Sequence, residues 1–223
     1  LRSSVRGRSR HYWECDDFLK GASWRNFTNQ DPNCPVFWTG ADALDLPDPA
    51  IGDKPQLYNL DAVAYESILL GLFEIHRGPP NAEGMRTCLP KITDLELAYS
   101  RDGFHWDRPD RRAFIASSRT NTWDRGYVQS VGGICLVQGD KLWFYYSGVR
   151  GTPGKLSKDV RRNGMYDQGS TGIAFLRRDG FASLEANSTG GYLLTRPVKF
   201  KGSHLFVNVD NPKGSLRVEV LDT

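Results

Sequence analysis

Four aspartates, Asp42, Asp45, Asp48 and Asp53, lie close together between Gly40 and Pro55, in a segment broken by Pro47 and Pro49. Carboxylates spaced in this way either cradle a hard cation or serve as solvated turn formers, and a Pro-broken loop favours turn formers. Cys15, Cys34, Cys88 and Cys135 form no Cys-x-x-Cys pair and have no histidine at zinc-finger spacing, so no metal and no cofactor is expected. Asp61 differs from these. It stands near the start of the long apolar stretch Tyr58–Ile75. A carboxylate there either takes part in acid/base chemistry or bonds neighbouring backbone amides, and the residues alone weigh these about evenly.

The elements that must position Asp61 read as strands. Tyr58–Ile75 divides at Glu66-Ser67 into Leu60–Tyr65 and Ile68–Ile75, a polar loop runs from His76 to Lys91, and Thr93–Ser100 alternates Asp94 and Glu96 with Leu95, Leu97 and Tyr99. The unit Ser-Arg-Asp-Gly-Phe-His-Trp (Ser100–Trp106) returns in part as Arg-Arg-Asp-Gly-Phe at Arg177–Phe181. In both copies the aspartate is expected to cap a turn and the glycine, Gly103 or Gly180, to take positive φ. Arg111–Ala116 is expected to make a fourth strand. The order then repeats through Tyr127–Val137, a hairpin at Gln138–Asp140, Lys141–Tyr146, a loop over Gly148–Ser170, and Gly172–Arg177. Earlier come strands at Val5–Trp13 and Val36–Thr39, with Cys15–Trp24 as turn and re-entry.

With 23 Gly, 12 Pro and no long run at helical spacing, the chain reads as all-β. Two meanders in tandem point to a β-propeller over residues 1–186, and the apolar alternation at Tyr192–Phe200, His204–Val209 and Ser215–Leu221 points to the start of a β-sandwich over 190–223. Neither unit is whole by this count. Completion is expected from a longer polypeptide, from self-association or from another chain. A net charge of +3, with acids interleaved among the bases, gives no nucleic-acid signature; Arg6, Arg8 and Arg10 read as a solvated strand edge. No apolar run reaches membrane-spanning length, and nothing in the sequence indicates a compartment.

The Ser100–Trp106 unit, Trp-Asp-Arg-Gly-Tyr at Trp123–Tyr127, Leu-Trp-Phe-Tyr-Tyr-Ser-Gly at Leu142–Gly148 and Leu176–Phe181 resemble bacterial proteins related to glycoside hydrolase families 32 and 43. The resemblance covers most of Tyr58–Asp222 and implies a five-bladed propeller, in the first family with an appended sandwich. It further implies hydrolysis of glycosidic bonds in an oligo- or polysaccharide by carboxylates near the propeller axis, because one acid must protonate the leaving oxygen while another attacks or activates water. Neither a Trp-Met-Asn-Asp-Pro-like signature nor an unambiguous Arg-Asp-Pro occurs here.

Strand direction within such blades selects the candidates. Asp61 falls at the axial mouth as the catalytic candidate. Gln129, Asp124 and Arg125 share its rim as substrate-binding candidates, joined by His76, Arg77, Arg161 and Tyr166 from the adjoining loops. Glu66 falls in a hairpin at the opposite rim, and Trp106 and Trp143 read as core rather than as sugar platforms. The alternative function is a non-catalytic carbohydrate-binding or scaffold propeller. A protein-interaction propeller is weaker, since no tryptophan-aspartate repeat signature occurs.

Overall fold

The computed structural model describes residues 2–3, 7–21 and 35–221. Strand makes up 37% and helix 7%, arranged in three antiparallel sheets, so the chain is all-β. The first sheet has the order β1 (Arg2–Ser3), β2 (Gly7–Tyr12), β3 (Val36–Gly40). The second is β4 (Gln56–Tyr65), β5 (Ile68–Gly78), β6 (Ile92–Ser100), and the third is β7 (Gly126–Gln138), β8 (Lys141–Val149), β9 (Gly169–Arg177). Two short helices, α1 (Phe18–Gly21) and α2 (Asn81–Thr87), and a 3₁₀ turn at Gly164–Tyr166 lie between strands. The segment expected as a loop from His76 thus begins as strand and then turns helical. The expected re-entry beyond Gly21 lies outside the described residues.

The β4–β5 hairpin turns on Glu66-Ser67, with Glu66 at φ 50°. That two-residue turn fixes the register, pairing Tyr65 with Ile68, Asp61 with Leu72 and Asn59 with Glu74. Alternation then assigns the faces. Leu57, Phe73, Ile75 and Ala98 form a buried cluster on one face, against which Leu60 and Trp106 pack. Gly71 leaves the room for Trp106, whose Cζ3 would lie 2.5 Å from a Cβ at that position.

The other end of that face holds charge. Arg77 bonds Asp94 at 3.3 Å and Glu96 at 2.7 Å. Arg108 bonds Glu96 at 2.9 Å and Asp45 at 2.8 Å, Arg111 joins Asp42 and Asp45, and Arg119 joins Asp48 and Asp94. The aspartates of the 42–48 segment are turn formers, accepting from the amides of Asp42, Leu44 and Ala50, and are arginine partners as well. Asp94 and Glu96, which alternate with Leu95, Leu97 and Tyr99 along β6, are buried by the same network.

Two further expectations change and one holds. Arg111–Ala116 forms no strand and meets β6 at the Leu95–Ile115 bridge. At the first Arg-Asp-Gly-Phe turn, Asp102 accepts from the amides of Phe104 and His105, and Gly103 takes φ 78°. At the second, Asp179 itself takes φ 59°. The same tetrapeptide thus closes two different turns, because the first is pinned by the Trp106 indole donating to Gly103 O at 3.0 Å.

The chain divides into two compact units, residues 1–136 with 143–175, and residues 137–142 with 176–223. In the second unit the strands expected from Tyr192 to Leu221 do not form: residues 182–221 contain no strand and all are exposed. Alternating apolar residues make a strand only where a neighbouring edge pairs them and a layer covers them, and this stretch has neither.

Candidate functional site

The second face of the β4–β5 pair carries Asn59 and Asp61 from β4 and Glu74 and His76 from β5. Asp61 and Glu74 are diagonal neighbours in the ladder, a relation that sets residues about 7–8 Å apart. Asp61 accepts hydrogen bonds from Ser130 Oγ and, at 3.4 Å, from Asn59 Nδ2. Glu74 accepts from Gln129 Nε2 at 3.2 Å. Strand β7 therefore supplies Gln129 and Ser130 side by side, one to each acid.

Burial separates the two acids. Glu74 is 0% exposed, and this burial raises its pKa to about 8, the Asp61 charge adding to the rise while Gln129 and Arg10 oppose it. Glu74 therefore holds its proton at neutral pH. Arg10 reaches in from β2, donating to Tyr58 O and, at 2.7 Å, to Asn59 Oδ1, with the charges of Glu74 and Asp61 both acting on it. Burial lowers the pKa of this guanidinium, and the two acids hold it up.

Aromatic rings continue the cluster. Tyr58 stacks on His76 with centroids 6.1 Å apart, meets Tyr127 edge-on, and carries the Arg8 guanidinium 5.4 Å from its centroid. Tyr127 donates to the Tyr166 hydroxyl at 3.0 Å, their rings 5.2 Å apart. Burial raises the Tyr58 pKa against the Tyr127 hydrogen bond, which lowers it, whereas burial and the Tyr166 and Tyr58 hydroxyls together raise that of Tyr127. Tyr166 is 40% exposed and forms the outward end of this row.

Of the residues singled out from sequence, the structure gathers Asp61, Gln129, His76 and Tyr166 into one continuous cluster. Arg77 does not join it, because alternation along β5 turns Arg77 to the opposite face and into the Asp94–Glu96 network. Asp124 lies in the turn before β7, accepting from Thr122 Oγ1 at 2.8 Å and, through its carbonyl, from Ser118 N. Arg125 is held in the same turn by its backbone. Arg161 is exposed and pairs with Asp159 at 3.4 Å.

Sequence reading missed Glu74, Arg10, Asn59 and Ser130. Glu74 had a signal: it is the one acid within the apolar strand Ile68–Ile75, and counting back from the Glu66-Ser67 turn places it on the face of Asp61. Arg8 and Arg10, read as a solvated edge, instead bind Gln56 and Asn59. Among the described residues no group of three or more His, Cys, Asp or Glu side chains is arranged to hold a metal ion. No protein-family model, curated protein or solved structure matches the chain.

Proposed function

We propose that this chain is a glycoside hydrolase-like protein acting on an oligo- or polysaccharide, its three sheets serving as successive blades of a propeller. Asp61 is the carboxylate that faces the sugar, as nucleophile or as the base that activates water. Glu74 is its proton-holding partner. The observation that carries this reading is two carboxyl groups on one sheet face, one of them buried so that it keeps its proton at neutral pH. Glycosidic cleavage asks for such a pair, at separations between about 5 and 9 Å. Gln129 and Ser130 orient the two acids, and the Tyr58–Tyr127–Tyr166 row offers apolar ring surface beside them.

Complete burial of Glu74 favours a second reading, in which the site binds a carbohydrate without cleaving it. Product release from a panel of plant and bacterial glycans, measured for the wild type, Asp61→Asn and Glu74→Gln, decides between them. Release that collapses at least 100-fold in Asp61→Asn and falls in Glu74→Gln supports hydrolysis at this face. Release unchanged in both variants removes the pair from the chemistry. Saturable glycan binding without release, lost in Asp61→Asn, supports the binding reading.

A further inference from the structure

The two arginines beside Asp61 differ from those on the opposite face of the second sheet. There Arg77, Arg108, Arg111 and Arg119 each hold carboxylates. Arg8 and Arg10, which reach in from β2, hold neutral oxygens instead. Arg8 donates to Gln56 Oε1 from its amide at 3.0 Å and from Nη1 at 3.1 Å. Arg10 donates to Tyr58 O, to Asn59 Oδ1 at 2.7 Å and to Ser9 O at 3.5 Å. Among the described residues neither guanidinium has a carboxylate within ion-pair distance, and Asp61 and Glu74 act on Arg10 only through space.

This arrangement leaves positive charge to spare. Because burial keeps Glu74 protonated, Arg8 and Arg10 set two positive charges against the single charge of Asp61. Arg8 is also placed to take an anion. Its guanidinium lies 5.4 Å from the Tyr58 centroid, Tyr58 in turn stacks on His76, and the residue is half-buried. With Nη1 on Gln56, its Nε and Nη2 make no hydrogen bond among the described residues. That edge of an arginine fork pairs two oxygens of one anionic group through parallel hydrogen bonds. We propose that the glycan bound at this face carries an acidic group, a carboxylate or a sulfate ester, which Arg8 holds beside Asp61 while Arg10 adds its charge from Asn59. The proposal deepens the reading of this face as a carbohydrate site and rests on it.

Calorimetric titration of the full 223-residue chain tests this, as wild type, Arg8→Gln and Arg8→Lys. The probes are plant and bacterial oligosaccharides in matched pairs: uronates with their methyl esters, and sulfated glycans with their desulfated forms. The wild type is expected to bind the acidic member of a pair about 10-fold or more tightly than the neutral one, and to lose part of that preference at high salt. Arg8→Gln is expected to abolish the preference and its salt dependence, whereas Arg8→Lys, which keeps the charge, retains the salt dependence. Which pair carries the larger preference identifies carboxylate or sulfate as the group. Equal binding of both members of every pair overturns the inference and leaves the carbohydrate reading standing. So does a preference that survives Arg8→Gln, and so does equal loss in Arg8→Gln and Arg8→Lys, which marks Arg8 as a packing residue only. A folded protein that binds no member of any pair overturns the carbohydrate reading and this inference together.

Discussion

Strands β5 and β9 both carry apolar residues, yet Leu70 to Gly78 are all buried while β9 is exposed over Gly169–Thr171 and then alternates between half-buried and exposed. Strand β5 is the middle strand of the middle sheet. One of its faces meets Trp106 and the arginine network, and the other meets β7. Strand β9 is the edge of its sheet. Burial here follows a strand's place, and it decides chemistry as well as stability: an acid in β5 keeps its proton, and one in β9 would meet water.

The arginine network is where this contrast breaks most sharply. Arg108→Ala takes from Glu96 and from Asp45 one of the two arginines each holds, leaving Arg77 and Arg111, and the expected cost is about 3 kcal/mol in chemical unfolding. Phe73→Ala, in the cluster with Leu57, Ile75 and Ala98, is expected to cost a similar amount, about 3–5 kcal/mol. Phe175→Ala, at a position 56% exposed, is expected to cost less than about 1 kcal/mol. Equal costs for the two phenylalanines would abolish the distinction between the sheets.

Acidity sharpens the comparison. Glu74 is raised from 4.5 to about 8, so between those pH values the native state binds a proton that the unfolded chain releases. Stability must fall as pH rises through that window. Glu74→Gln is expected to flatten this slope and to be the more stable protein above pH 8. Some slope of the same sign should persist, since burial and the Asp45 charge raise Glu96 to about 7. Denaturation midpoints across the window check both parts. The smallest effect is expected at the two Arg-Asp-Gly-Phe turns: Asp102→Ala removes the acceptor for two amides and lowers the melting temperature, while Asp179→Gly, at φ 59°, leaves it unchanged or raises it.

Strands were legible in the sequence wherever local pattern decided them: the Glu66-Ser67 hairpin, the alternation of β6 and the Asp102 turn all follow from turn chemistry and period. Asp61, Gln129, His76 and Tyr166 were singled out by strand order, and they come together although Asp61, His76 and Gln129 lie inside β4, β5 and β7 rather than at strand openings. Arg77 was not, because its role depends on which face of β5 is charged, and that is set by Arg108 and Asp45, far off in sequence. The 192–221 stretch carries strand patterning without strands because pairing needs a partner edge that pattern cannot supply.

Asp61 and Glu74 work as a pair only if Glu74 keeps its proton at neutral pH. Infrared difference spectra of the wild type against Glu74→Gln measure it directly. A protonated carboxyl band at pH 7 that belongs to Glu74 and disappears as pH rises past about 8 is expected. A Glu74 carboxylate band already complete at pH 7 would contradict it, and would leave Asp61 without the acid partner that cleavage requires.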